Sequence, residues 1–269
     1  MRHAITGVEP AVETALRTLA RRATGLRGAD IERVVREARQ AARRERRGVT
    51  WSDLDGRLSA SKPPRPEVLR WRMALHEAGH AVARLVLKLG TITLISIDVP
   101  GGGGMVLSEQ PELVTETEGW LSSLLIARLA GRAAEEVVLG SCVAGSGGSP
   151  ESDLASATRL ALQMDVAFGF GTEMPLLYRD PEQHASALIY RPDVAKRVND
   201  RLEKAYADAK EMIRSHHAPL HHLACELLRH ETIEGTHLEV VLASLSWSLG
   251  QPYRAEDSGQ TAKQGTSGA

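Results

Sequence analysis

The sequence predicts a mainly α fold of the α+β kind, with one small β-sheet. Three observations carry that expectation. Apolar residues recur at helical spacing through most of the chain, as in Ile31, Val34, Val35, Ala38, Ala41 and Ala42. One run, Thr91 to Val99, is instead rich in β-branched residues and reads as a strand. A stretch with three prolines in four positions, Pro63, Pro64 and Pro66, separates a short helical segment at 1–60 from a longer body at 67–249.

Taken in order, residues 9–22 read as a helix, with Ala11, Val12, Ala15, Leu16 and Leu19 on one stripe. A turn at 24–30 feeds a second helix that Gly48 ends, and Ser52-Asp53-Leu54 starts a short third one. The linker at 61–66 follows. A helix over 67–89 is stopped by Gly90. After the strand, Pro100 and the glycines at 101–104 make a turn, and Met105 to Ser108 forms a second, edge strand. An edge strand can add the extended backbone of a peptide as one more strand, although the glycine run would equally serve as a plain hairpin loop.

Thr115 and Glu118 have capping-box spacing, and the helix behind them, ended by Gly140, is apolar over much of its surface. Glu135 and Glu136 stand near its end, where a buried carboxylate needs a partner or a metal. Ser149 and Pro150 read as the cap and first residue of the next helix, which places Asp153 in its first turn. The partial positive charge there keeps a carboxylate ionised. Residues 168–191 are irregular. Helices over 192–216, 219–230 and 236–249 make a C-terminal layer, and the polar Gly/Ser/Thr-rich stretch at 250–269 reads as a disordered tail.

Composition narrows the function classes. The chain has 269 residues, enough for one large or two smaller domains. Aromatic content of 4% gives no support to stacking on nucleic-acid bases. The net charge is −1, and the arginine-rich first fifty residues read as a solvated helix face, so no nucleic-acid partner is expected. Cys142 and Cys225 show no pairing pattern, which fits a reducing compartment. No signal peptide and no run of eighteen apolar residues occurs, because Arg84 and Lys88 interrupt the best candidate. The expected location is cytoplasmic, with no membrane span in this chain.

The chemistry sits in Leu75-His76-Glu77-Ala78-Gly79-His80-Ala81-Val82. Residues four apart on a helix share a face, so His76 and His80 can grip one metal ion. Glu77, one position on, can reach a water beside that ion and move its proton. Two histidines, a carboxylate and a water around Zn²⁺ form a hydrolytic site. A third ligand must come from downstream, and spacing leaves Glu135, Glu136 and Asp153 open. His216, His217, His221 and His222 cluster at a helix junction. His217 and His221 are also four apart, but Pro219 between them argues against one helix, so the cluster reads as a solvated junction and not as a ligand set.

Four segments resemble the peptidase domain of the FtsH family of ATP-dependent zinc metalloproteases, in the family's order and near its spacing. They are His-Glu-Ala-Gly-His-Ala-Val at 76–82, Ala-Gly-Arg-Ala-Ala-Glu-Glu-Val-Val-Leu-Gly at 130–140, Ser-Asp-Leu-Ala-Ser-Ala-Thr at 152–158 and His-Glu-Thr-Ile-Glu-Gly at 230–235. The block at 9–58, with Thr-Gly-x-x-Gly-Ala-Asp-Ile, resembles the end of the small helical lid of AAA+ ATPases. No Gly-x-x-x-x-Gly-Lys-Ser/Thr loop accompanies it, so no site for a nucleotide triphosphate is present in this sequence.

The resemblance implies a helical zincin-type metallopeptidase domain, with Asp153 as the third zinc ligand beside His76 and His80, and Glu77 as general base. Glu135 and Glu136 then orient a ligand or pair in the core. It also implies unfolded polypeptide substrates, a homo-oligomer (a hexamer in the family), an ATPase module in the parent protein and possible anchoring of that parent in a membrane. A chain that starts within the lid is expected to be a fragment rather than a stand-alone peptidase. Ser152 stands where Asn is common in the family, and the loop before it is slightly longer than usual. The competing expectation is a non-catalytic assembly or adaptor domain with a structural or empty metal site, against which the intact Glu77 argues.

Overall fold

The computed structural model describes residues 26–60, 65–99, 103–110, 114–181 and 187–245, with positions 12, 16, 19, 20, 22 and 23 before them. Most of the helix expected at 9–22, residues 61–64 of the linker and the tail at 250–269 lie outside the described residues. The fold is mainly helical with a small antiparallel sheet, as the sequence predicts. The chain divides into two compact units, Met1–Arg70 with Ile97–Gly104, and Trp71–Ser96 with Met105–Ala269.

In the first unit, helix α1 (Gly28–Arg44) buries Val34, Ala38 and Ala42 of the stripe read from the sequence, while Ile31 at its start is exposed. It packs against α2 (Trp51–Ala60), which contributes Leu58. Asp53 in the first turn of α2 accepts from the backbone N–H and the hydroxyl of Thr50, each at 2.8 Å, and from Arg47 at 2.7 Å. Those bonds hold the Asp53 carboxyl well below the usual carboxylate range, with the Arg47 hydrogen bond the largest cause.

The second unit holds His76, His80 and Asp153. Helix α3 (Glu67–Val86) buries a run from Ala74 to Ala83 that His76 alone interrupts. It ends three residues before the expected Leu89. Lys88 takes a left-handed φ of 54°, and the Leu89 N–H returns to the Arg84 carbonyl at 2.9 Å, so the chain turns before Gly90. Strand β1 (Thr91–Ser96) is central, with order β2-β1-β3, and pairs antiparallel with β2 (Met105–Glu109), which is an edge. β3 (Thr232–Glu234) is a three-residue strand that the sequence reading missed.

Helix α4 (Glu118–Leu139) packs on α5 (Asp153–Val166) and α7 (Pro192–Ser215), which also touch each other; between them in sequence lies the short α6 (Ala187–Tyr190). Two expected caps are corrected. The cap of α4 is Thr117, whose hydroxyl accepts from the Trp120 N–H; Glu118 is therefore the first helical residue and no box with Thr115 forms. The cap of α5 is Ser152 rather than Ser149. Its hydroxyl accepts from Ala155 N–H and donates to the Ser149 carbonyl, so Ser149 and Pro150 form the turn before the helix. Gly140 ends α4 in a left-handed conformation, φ 69°, as expected.

Asp165 of α5 is buried and takes a forked guanidinium from Arg197 of α7, at 3.0 and 2.9 Å. Helix α8 (His217–His230) starts two residues earlier than expected. Pro219 falls in its first turn, where a missing N–H costs nothing, so His217 and His221 do share one helix. α9 (Gly235–Ser244) follows β3 directly. Among the described residues no helix is long and apolar enough to cross a membrane.

Candidate metal centre

The local structure of α3 and α5 brings three donor atoms together. His76 and His80 sit one turn apart on α3, and Asp153 is the first residue of α5, held by the Ser152 cap. His76 Nε2 is 2.9 Å from Asp153 Oδ2, His80 Nε2 is 3.2 Å from the same oxygen, and the two Nε2 atoms are 3.1 Å apart. Donors about 2.0–2.1 Å from a tetrahedral Zn²⁺ stand roughly 3.3 Å from one another, so this triangle is close to the size the ion requires.

The outer hydrogen bonds decide which nitrogens face inward. His76 Nδ1 lies 2.8 Å from Glu135 Oε1, and His80 Nδ1 lies 2.8 Å from the Ala127 carbonyl oxygen. An ionised carboxylate and a carbonyl only accept, so both Nδ1 atoms carry hydrogen. In the neutral imidazoles both Nε2 lone pairs then point at each other and at a carboxylate oxygen. Three acceptors facing one another need a cation between them, and the residues present fit Zn²⁺ on that ground.

Electrostatics give the same picture. Burial opposes a charge on His76, but hydrogen bonds to Asp153 and Glu135, with the charge of Glu77, outweigh it and push the imidazole up to about 10. Burial would raise the Asp153 carboxyl, yet its bonds to His76 and His80 hold it well below the ordinary range. Both shifts express a demand for positive charge at the centre of the triangle. Glu77 is buried beside it, and burial pushes its carboxyl up, the direction that suits a proton acceptor and donor.

The two glutamates left open by the sequence separate cleanly. Glu135 is 2% exposed; besides His76, its other oxygen accepts from Arg72 Nη1 at 2.8 Å and from Val143 N–H at 3.2 Å. Arg72 also donates to the Ser141 carbonyl, so the loop after α4 is part of the frame. Burial disfavours the Glu135 charge, but these bonds win and lower its pKa. Glu136 turns to α7, where Tyr206 donates to one oxygen and Lys210 to the other. It takes no part in the triangle.

Two residues that the sequence reading did not assign also shape the centre. A Cβ at Gly131 would stand 2.5 Å from His80 Nε2 and 2.6 Å from His76 Nε2, so only glycine leaves the donors their space. A Cβ at Gly79 would meet the Ala130 carbonyl oxygen at 2.6 Å, so this glycine permits the close crossing of α3 and α4. The usable signal was a glycine in the middle of each helix, where it costs about 1 kcal/mol relative to Ala and needs a reason.

The histidines at the α7–α8 junction do not form a donor triangle. His216 Nδ1 is 2.8 Å from the Met212 carbonyl oxygen, His221 Nδ1 is 3.6 Å from Cys225 Sγ, and His222 Nε2 is 3.3 Å from Ser244 Oγ. The groups of three His, Cys, Asp or Glu donors within reach of one ion, among the described residues, are His76/His80/Asp153 and Glu226/His230/His237.

Comparison with known proteins places this geometry in context. The model of peptidase family M41 matches residues 67–241. The ATP-dependent zinc metalloprotease FtsH of Thermotoga maritima is 34% identical over 255 residues, covering 85% of this chain and 41% of that protein. The protein of the same name from Chloroflexus aggregans is 28% identical over 263 residues, covering 88% of this chain and 40% of its own length. FtsH 1 of Sorangium cellulosum is 31% identical over 250 residues, with 84% and 39% covered. The chain thus spans about two fifths of the length of the curated relatives it matches.

Proposed function

The chain belongs to peptidase family M41, and on that premise we propose that it is a zinc-dependent endopeptidase acting on unfolded or loosely folded polypeptides. His76, His80 and Asp153 hold the ion. Glu77 takes the proton of the attacking water and passes it to the leaving amine. When bound, Zn²⁺ acidifies that water and polarises the scissile carbonyl. Glu135 and the Ala127 carbonyl fix the imidazoles so that Nε2 faces inward. The observation that carries this reading is the convergence of three acceptor atoms within 3.2 Å of one another, with Glu77 next to His76 on the same helix.

The sheet supports a mode of substrate engagement. β2 is an edge, and its exposed Met105 and Leu107 alternate with half-buried neighbours. Arg84 of α3 donates to Ser108 Oγ at 2.8 Å, tying that edge to the helix that carries both histidines. An extended peptide added to β2 would meet this helix.

The remaining assignments belong to the same proposal. Residues 1–60 are a lid-like segment, 61–66 a linker and 67–249 the peptidase domain. The parent protein supplies an ATPase module, assembles as a homo-oligomer and presents the peptidase in the cytoplasm. The test compares zinc content and casein cleavage in wild type and Glu77→Gln. Retained zinc with cleavage reduced by about 10²–10⁴ supports the enzyme. Equal background rates in both proteins would leave a non-catalytic module.

A further inference from the structure

Away from the centre just described, Glu226 and His230 lie one turn apart on α8, and His237 lies in the first turn of α9. His230 Nε2 is 3.6 Å from Glu226 Oε2, and His237 Nε2 is 3.8 Å from the same oxygen. The two imidazoles meet edge to face with centroids 4.5 Å apart. All three donor atoms fall within 4.8 Å of one another. Arg229 occupies the other carboxylate oxygen, Oε1, and so leaves Oε2 to the histidines.

From this arrangement we propose that Glu226, His230 and His237 form a second, surface site for a divalent transition-metal ion. Two imidazoles and a carboxylate are donors that suit Zn²⁺ and its neighbours, while Mg²⁺ and Ca²⁺ prefer oxygen alone. Two sides of the triangle, at 3.6 and 3.8 Å, are near the roughly 3.3 Å that zinc asks for, and the third is no longer than 4.8 Å, so side-chain rotation must draw the two imidazoles together around the ion. His230 and His237 are about half exposed, so the site is open to incoming metal.

The backbone beneath is already fixed. Helix α8 is capped by Glu231 at φ 58°, and α9 begins at Gly235 with φ 54°. Between them β3 pairs with β1, with Ile233 fully buried and Ser96 Oγ 2.7 Å from Thr232 Oγ1. Leu238, next to His237, is also buried. The two histidines therefore flank a strand anchored in the core, and little backbone entropy is left to lose when an ion joins them. A bound ion clamps α8 to α9 across β3, the strand that shares β1 with the edge strand β2.

The test is equilibrium dialysis of chelator-stripped protein against micromolar Zn²⁺, with bound zinc counted by atomic emission. Wild type is expected to hold one equivalent more than His230→Ala/His237→Ala, and zinc is expected to raise the Tm of wild type more than that of the variant. Glu226→Gln serves as an independent second variant should circular dichroism show the double variant misfolded. Equal zinc counts in wild type and a folded variant overturn the proposal. Asp153→Ala reports separately on the other centre: it should lose that equivalent and keep the one at His230 and His237.

Discussion

His76 Nδ1 stands 2.8 Å from Glu135 Oε1, and the second oxygen of that carboxylate is held by Arg72 at 2.8 Å. The ring is thus oriented from behind by a charged and almost fully buried group. Glu135→Gln removes the charge while keeping the shape, and its expected effect is a zinc affinity weaker by about 10–100-fold. Glu136→Gln, one residue on, should leave zinc affinity at the wild-type value, because its carboxylate faces Tyr206 and Lys210. Competition with a chromogenic chelator measures both. Equal losses in the two variants would contradict the assignment of Glu135.

Zinc uptake should release a proton. In the metal-free protein His76 is pushed up from 6.5 to about 10, so near neutral pH the site holds a proton that the ion must displace. Apparent zinc affinity should fall about tenfold for each pH unit of acidification over that range, and titration calorimetry in buffers of different ionisation enthalpy should report about one proton released. The stability of the metal-free chain follows the opposite sign. A raised histidine stabilises fully below 6.5, and its contribution is lost as the pH climbs through about 10. The lowered Asp153 stabilises above its ordinary 3.8 and loses that contribution as the pH falls through its folded value. Metal-free protein should therefore melt highest between about pH 4 and 6.5 as far as these two groups decide it.

Much of this arrangement of side chains was legible in the sequence. The pairing of His76 with His80 follows from the helical repeat alone, and Asp153 from its place at a helix start together with the family resemblance. What spacing could not supply was direction. Glu135 and Glu136 are adjacent and chemically identical, and on a helix they point about 100° apart, so only packing distinguishes the one behind His76 from the one beside Tyr206. The caps failed for a related reason. Thr115 and Thr117, like Ser149 and Ser152, each offer a suitable hydroxyl within one turn, and the choice depends on where the chain leaves its extended conformation. β3 was missed because three residues carry no measurable alternation; it exists because β1 offers it a partner.

Gly131→Ala tests whether the centre needs empty space as much as it needs ligands. The added methyl would sit 2.5 and 2.6 Å from the two Nε2 atoms, well inside van der Waals contact, so at least one ring must rotate away. Ala is otherwise the better helix former by about 1 kcal/mol, which offsets part of the strain in a mid-helix position. The expected protein is folded by circular dichroism and binds zinc at least about 100-fold more weakly, with cleavage lost in parallel. Wild-type zinc affinity in this variant would mean that the rings stand elsewhere.

Ser152 connects helix capping to the proposed ligand Asp153. Its hydroxyl accepts from the Ala155 N–H at 3.3 Å and donates to the Ser149 carbonyl at 2.7 Å, fixing both the start of α5 and the loop that enters it. Asp153 is the next residue, so freedom at the cap becomes freedom at the ligand. Ser152→Ala should cost about 1 kcal/mol, a fall in Tm of roughly 2–4 °C for a domain of this size. It should also weaken zinc binding, since a looser carboxylate must be ordered again by the ion. Ser152→Asn separates the two bonds. Asn caps as well as Ser and should restore most of the Tm; its amide is longer, so zinc affinity recovers only if Asp153 returns to the same place. A Ser152→Ala protein with lowered Tm and unchanged zinc affinity would show that Asp153 is positioned by its bonds to the two imidazoles and not by the helix that carries it.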